Sequence, residues 1–177
     1  WRPSEGLKKL LDIRWSNRPD PDRTVEEVRA ADEPDPGCNP RPGTTYESVD
    51  AEGVYCEWVT WETPTTDSLF VYLHGGGYYR STGPASRMAA SNLSKVCGCR
   101  CLTVDYRLAP ENKFPAAVDD AYAAYHWLLE QGILPNQIVV GGSSAGGGLT
   151  SALLANLKLN CEAMQAAALL LSPWTDL

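Results

Sequence analysis

Two glycine-rich stretches hold residues suited to acyl chemistry. The first is Gly141-Gly142-Ser143-Ser144-Ala145-Gly146-Gly147-Gly148, entered by the apolar run Gln137-Ile138-Val139-Val140 and left by a helix-forming run, Leu149 to Leu159. Strand, tight turn, serine and helix is the layout of a nucleophile elbow, with Gly142-x-Ser144-x-Gly146 as its core. So sharp a turn forces the serine towards strained backbone angles and holds its Oγ clear of the chain. The helix that follows aims its N-terminal N–H groups back at the serine, where they favour negative charge. A glycine-rich turn between a strand and a helix has the same layout without any chemistry. The second stretch, His74-Gly75-Gly76-Gly77-Tyr78-Tyr79, directly follows the apolar run Leu69 to Leu73. Consecutive glycines let backbone N–H groups face a cavity, which is how an oxyanion hole is built. Together they predict that Ser144 attacks an acyl carbon while the N–H groups of Gly75, Gly76 and Ala145 receive the oxyanion. A phosphate loop is the competing reading, but neither Gly-Lys-Ser/Thr nor G-x-G-x-x-G occurs in this stretch. His74 sits at the strand end, where its side chain is expected to brace the loop. It is not expected to act as base, since the histidine of such an elbow comes last in chain order.

The elements that must position these residues are legible in outline. Glu5 to Trp15 has helical spacing of Leu7, Leu10, Leu11 and Ile13 or Trp15. A second helix starts at Thr24, with Thr24 and Glu27 in a capping-box pattern. Pro34 to Gly43 reads as a loop. Residues 1–44 therefore form a helical segment of their own, either a cap over a site or a plain covering pair. From residue 45 to 177 the pattern is α/β. Thr45 to Val49 and Val54 to Thr60 read as antiparallel strands, and Leu69 to Leu73 as a strand buried on both faces. Ser86 to Val96 is helical, Arg100 to Val104 is a strand and Ala116 to Glu130 a helix ending at Gln131-Gly132. Ile138 to Val140 leads into the elbow, and Ala166 to Leu171 fits a last buried strand. Such alternation implies a mostly parallel sheet flanked by helices, with the site beyond the carboxyl ends of its strands.

Composition excludes several functions. The 177 residues carry a net charge of −7, against nucleic acid or an anionic membrane surface as partner. No apolar run approaches the roughly 20 residues of a membrane span. No signal-peptide pattern is read, and Trp1 in place of Met points to a trimmed or incomplete start. Cys97-Gly98-Cys99-Arg100-Cys101 lacks zinc-knuckle spacing and a neighbouring histidine, so no metal is expected. Buried free thiols in a reducing, cytoplasmic setting fit the six cysteines better. No cofactor is implied, since serine acyl transfer needs none.

His74-Gly75-Gly76-Gly77, Asp105-Tyr106-Arg107-Leu108-Ala109-Pro110-Glu111, Phe114-Pro115-Ala116-Ala117 and Gly142-Ser143-Ser144-Ala145-Gly146-Gly147, in that order, resemble the hormone-sensitive-lipase-like esterases of the α/β-hydrolase fold. The closing Leu171-Ser172-Pro173-Trp174-Thr175-Asp176-Leu177 resembles the branch of bacterial monoterpene lactone hydrolases and related acetyl-ester hydrolases. The resemblance implies Ser144 as nucleophile, Gly75, Gly76 and Ala145 as oxyanion donors, and Asp105 as motif support outside the triad. His74, Gly77, Gly142 and Gly146 support the motifs, while Tyr78 and Tyr79 are candidates for the substrate pocket. The substrate class it implies is a small or medium acyl ester or a lactone. Two departures stand out. Ser143 replaces the family's usual aspartate. No histidine follows Ser144, and Asp176 matches the Pro-Trp-Thr-Asp segment, not the family's catalytic acid. His126 lies mid-helix and is expected to be packed or surface-facing. The acid and the histidine base are therefore expected beyond residue 177, with the C-terminal part of the fold missing and the last strand left exposed. The competing readings are an inactive truncated form and a non-catalytic, receptor-like binder of a small ligand, as in the gibberellin receptors.

Overall fold

The structure, a computed structural model, describes residues 4–6, 8, 9, 12, 22–31, 39–80 and 83–175. Residues Trp1–Glu33 and Pro34–Leu177 form two units. In the first, residues 5, 6, 8, 9 and 12 are helical, and the rest of the expected Glu5 to Trp15 helix lies outside the described residues. Helix α1 spans Val25–Ala31. Its capping box is formed: the Thr24 N–H donates to Glu27 Oε2 at 2.8 Å, and the Glu27 N–H donates to Thr24 Oγ1 at 3.2 Å. Two orphan donors of the first turn are thus satisfied reciprocally.

The second unit is built on six strands: β1 Thr44–Ala51, β2 Val54–Trp61, β3 Leu69–Leu73, β4 Arg100–Val104, β5 Ile138–Ser143 and β6 Ala167–Leu171. They lie in the order β1-β2-β4-β3-β5-β6. The pairs β1/β2 and β2/β4 are antiparallel, and β4, β3, β5 and β6 run parallel. Three helices connect them: α2 Gly83–Cys97, α3 Ala116–Glu130 and α4 Ala145–Leu159. From β3 the chain crosses to β4 on one side, then returns past β3 to β5 and on to β6. Right-handed crossovers therefore place α2 on one face and α3 and α4 on the other. Each face has its own apolar cluster. Leu73, Leu102, Tyr125, Leu128, Leu149 and Leu153 pack under α3 and α4, and Val59, Phe70, Tyr72, Ala90 and Cys101 under α2. Strand β3 is buried at all five positions because both of its edges and both of its faces are covered.

The carboxyl ends of β3 and β5 are adjacent, with Leu73 in register with Gly142. Their onward connections run to opposite faces of the sheet. That is a topological switch point, the place where an open parallel sheet leaves a crevice.

The structure corrects one expectation. Helix α4 begins at Ala145, not Leu149, because Gly146, Gly147 and Gly148 of the glycine-rich turn are packed as its first turn. Strand β6 has the composition of a buried strand but is left exposed, as expected for a last strand without its neighbour: all five of its residues are exposed, Leu169, Leu170 and Leu171 at 37%, 40% and 46%. It pairs with β5 alone and ends the sheet. An apolar, unpaired edge is a template for association. The 177-residue chain is accordingly expected to aggregate by strand pairing. Leu170→Lys should raise the concentration at which light scattering sets in, and unchanged scattering would contradict this.

Buried thiols are found at Cys56, Cys99 and Cys101, whereas Cys97 and Cys161 are exposed and Cys38 lies outside the described residues. Burial pushes the Cys56 thiol up to about 12 and Cys99 up to about 11, so neither is a nucleophile at neutral pH. Among the described residues no group of three His, Cys, Asp or Glu side chains is placed to hold a metal ion. No described helix is long and apolar enough to cross a membrane.

Candidate active site

Ser144 occupies the turn between β5 and α4 with φ 53° and ψ −118°. A side chain in that region costs about 1–3 kcal/mol, so the surroundings must impose it. They do so through backbone hydrogen bonds. The Ser144 N–H donates to Leu171 O at 2.9 Å, and Ser144 O accepts from the N–H groups of Trp174 at 2.9 Å and Gly148 at 3.1 Å. The turn is clamped from β6 and the segment after it, and the serine is left exposed.

Close approach explains why Gly146 must lack a side chain. A Cβ there would lie 2.0 Å from Leu73 O and 2.5 Å from His74 O. The first turn of α4 thus rests directly on the backbone at the end of β3, which brings the His74 loop against the elbow. A Cβ on Gly75 would lie 3.6 Å from Ser144 Cβ and 2.9 Å from Ser143 O. The structure therefore brings Gly75 and Ser144 together, as the sequence predicts. Among the described residues, the N–H groups of Gly75, Gly76 and Ala145 are donors in none of the turn, loop or cap hydrogen bonds.

His74 is buried at 5% exposure behind this loop. Its Nδ1 lies 2.7 Å from Gly75 O, and its ring stacks on Tyr106 with centroids 4.0 Å apart. Desolvation lowers its pKa, so the folded protein holds the ring neutral. The sign of the pH effect follows. Above pH about 6.5 the ring is neutral both folded and unfolded. Below it only the unfolded chain gains the proton, and stability falls as pH falls. The melting temperature should drop less between pH 7.5 and 5.5 in His74→Asn than in the parent. An identical drop in both would contradict the neutral, buried ring.

Asp105 directly follows β4, and its N–H donates to Tyr55 O at 3.0 Å. With His74, Glu57 and Arg87 it lines a cavity of about 340 Å³. Tyr78 lines a different, largely apolar cavity of about 450 Å³ together with Ala109, Phe114, Val118, Ala152 and Trp174. Gly148, one turn of α4 beyond Ser144, is part of its wall. Tyr79 lies outside that lining, 5.9 Å from the Arg80 guanidinium. Ser143, in the place of the usual aspartate, lies beside the Tyr72 phenol, whose pKa burial raises and the Ser143 hydroxyl lowers. His126 belongs to α3 and meets Glu162 Oε2 at 2.5 Å, with Tyr122 beside it. It is half-buried, with 33% of its side chain exposed. Asp176 lies outside the described residues.

Sequence reasoning missed one pair at the rim. Asp120, on the buried side of α3 at 4% exposure, accepts from the Arg107 N–H at 2.7 Å and from Arg107 Nε at 2.9 Å. It fixes the turn after β4 that carries Tyr106 and Leu108. An aspartate amid the apolar positions of a helix was the available signal. Asp120→Ala strands the Arg107 N–H and should cost about 1–3 kcal/mol of stability. A denaturant midpoint equal to the parent's would contradict that role.

A family model described as alpha/beta hydrolase fold matches residues 70–177. An acetyl-hydrolase of Streptomyces hygroscopicus is 45% identical over 107 residues, which are 60% of this chain and 36% of that protein. A putative acetyl-hydrolase of Mycobacterium tuberculosis is 36% identical over 135 residues, 76% of this chain and 44% of that protein. Among solved structures, an esterase from the bacterial hormone-sensitive lipase family superposes with a TM-score of 0.83 at 36% identity, covering 99% of this chain and 60% of that one. The chain thus spans less than half the length of these two curated relatives and about three-fifths of the solved esterase. On this match and the geometry above, the chain belongs to the alpha/beta hydrolase fold family, and within it resembles the hormone-sensitive-lipase-like esterases.

Proposed function

We propose that this chain is the portion of a serine ester hydrolase that carries the nucleophile and the oxyanion hole, acting on a small or medium acyl ester or a lactone. The observation that carries the reading is the juxtaposition of a strained, exposed Ser144 with the uncommitted N–H groups of Gly75, Gly76 and Ala145. In this mechanism Ser144 Oγ attacks the acyl carbon as a base takes its proton. The carbonyl oxygen becomes an oxyanion held by the three N–H groups, and the alcohol leaves with a proton. Water then cleaves the acyl-serine by the same steps, returning Ser144 and releasing the acid.

No histidine near Ser144 can serve as base, and serine is a weak nucleophile without one. We place the acid and the histidine in a segment beyond residue 177, a reading supported by the fraction of its relatives that the chain spans. Residues 1–44 act as the cap segment and residues 45–177 as the first part of the catalytic domain. The apolar cavity at Tyr78 and Trp174 suits the acyl chain or the alcohol, and names of relatives such as the ethyl acetate hydrolase of Pseudomonas putida support small esters.

The test compares hydrolysis of p-nitrophenyl butyrate by residues 1–177 alone and by the full-length protein that continues past them. The expectation is turnover by the full-length protein and, for residues 1–177, a rate lower by a factor of about 10³ or more. Equal rates would overturn the division of the triad. No turnover by either would overturn the esterase reading.

A further inference from the structure

In the loop after β3 the carbonyls of His74, Gly75 and Gly76 are engaged on the protein side, while the N–H groups of Gly75 and Gly76 donate to none of the turn, loop or cap hydrogen bonds among the described residues. His74 O accepts from the Tyr106 hydroxyl at 2.7 Å. Gly75 O lies 2.7 Å from His74 Nδ1. Gly76 O accepts from the N–H groups of Tyr79 at 3.2 Å and Arg80 at 3.1 Å. A carbonyl only accepts, so His74 Nδ1 must carry the proton. The ring is then the Nδ1–H tautomer, and its buried Nε2, which has no partner among the described residues, is a bare acceptor.

These bonds set the direction of the amides. His74 C=O and Gly75 N–H belong to one peptide unit, and Gly75 C=O and Gly76 N–H to the next. Neither unit is cis. In a trans unit the two groups point in opposite directions, so tying down the carbonyl aims the N–H the other way. Tyr106 fixes the first unit directly. It fixes the second through the imidazole, whose ring lies flat on the phenol at 4.0 Å with 8° between planes. Tyr106 itself is immobile: it is 1% exposed, its hydroxyl is committed to His74 O, and burial keeps the phenol protonated.

We propose that Tyr106 is a positioning residue for catalysis, aiming the Gly75 and Gly76 amides as oxyanion donors through the His74 carbonyl and the His74 ring. This rests on the assignment of Ser144 and the loop amides made above. Tyr106 touches no reacting atom and is separated from Ser144 by the loop it holds. Its hydroxyl is the part that matters, since phenylalanine would keep the stack and the packing and release the carbonyl.

The test uses the full-length protein and p-nitrophenyl butyrate, well below the melting temperature of every variant. For Tyr106→Phe, kcat is expected to fall by about 10–100-fold, less than the roughly 10²–10³-fold of deleting one oxyanion donor outright. KM should stay within about twofold, because binding of the uncharged ester does not depend on these amides. Affinity for an aliphatic trifluoromethyl ketone, which becomes an oxyanion on Ser144, should fall in the same proportion as kcat. His74→Asn keeps an N–H near the Nδ1 position and should retain most of kcat, while His74→Leu should fall at least as far as Tyr106→Phe. A Tyr106→Phe protein that melts lower yet keeps the parent kcat and inhibitor affinity would overturn the proposal, leaving a merely structural hydrogen bond. A Ser144→Ala control separates the two levels. If that control is inactive and Tyr106→Phe is normal, only the positioning role fails. If the control is fully active, the assignment of Ser144 fails and the positioning role falls with it.

Discussion

Replacing Gly146 with alanine is expected to lower ester hydrolysis by the full-length protein about a thousandfold and to destabilise the fold. The added methyl would meet Leu73 O at 2.0 Å, His74 O at 2.5 Å and Leu73 C at 2.6 Å. All three are main-chain atoms, so no side chain can swing aside. The strand cannot retreat either, because β3 is hydrogen-bonded to β4 on one edge and β5 on the other. The first turn of α4 must therefore move away from β3, carrying Ala145 N–H and Ser144 from the Gly75 loop. A displacement of about 1 Å in a catalytic array can cost about a hundredfold, and here the nucleophile and a donor both move. Overpacking of this kind also costs about 1–3 kcal/mol of stability or more. The control is Gly83→Ala, where a Cβ meets nothing within 4 Å. Thermal melts and steady-state rates of the two variants decide the matter. Parent-like turnover by Gly146→Ala would mean that the contact between α4 and β3 does not set the site.

Ser144→Ala is the complementary case, with the larger kinetic effect and almost no structural one. Loss of the nucleophile is expected to lower kcat by roughly 10⁵–10⁶-fold, leaving only the residual acceleration of binding and the oxyanion hole. The fold should be unaffected. The three backbone hydrogen bonds that impose the turn use Ser144 N–H and O, not Oγ, and alanine keeps the Cβ. Alanine also keeps the cost of φ 53°, so the melting temperature should stay within a few degrees of the parent. Ser144→Gly should lose activity equally and melt higher, since glycine adopts that backbone without penalty. Retained activity in Ser144→Ala would remove the nucleophile from the account. A large fall in melting temperature would mean the hydroxyl has a structural partner.

Much of this was legible in the chain because local pattern and tertiary placement agree. The apolar runs at Leu69–Leu73 and Arg100–Val104 and the periodic run at Ala116–Glu130 coincide with β3, β4 and α3. The Thr24/Glu27 capping box formed as its spacing implies. The failures came where a distant contact overrides a local rule. Gly146, Gly147 and Gly148 are poor helix formers, yet they make the first turn of α4 because backbone from Leu73, Pro173 and Trp174 leaves no room for side chains. The run Ala167–Leu171 has the composition of a buried strand, and it lies exposed because it ends the sheet, as expected of the last strand. The supports of the site were least legible. Tyr106 reaches back 32 residues to His74, and Arg107 reaches Asp120 across a turn, and neither link has a sequence period. Ser143 gave a departure from the family pattern without saying that it would lie beside the Tyr72 phenol.

The central claim is that Ser144 is acylated during turnover. The direct measurement is to mix the full-length protein with p-nitrophenyl butyrate, quench in acid within the first turnover, digest, and weigh the peptides. The account predicts a burst of p-nitrophenol and a butyryl group on the peptide holding Gly141 to Gly148, attached at Ser144. Butyrylation of another residue, or turnover with neither burst nor adduct, would contradict it.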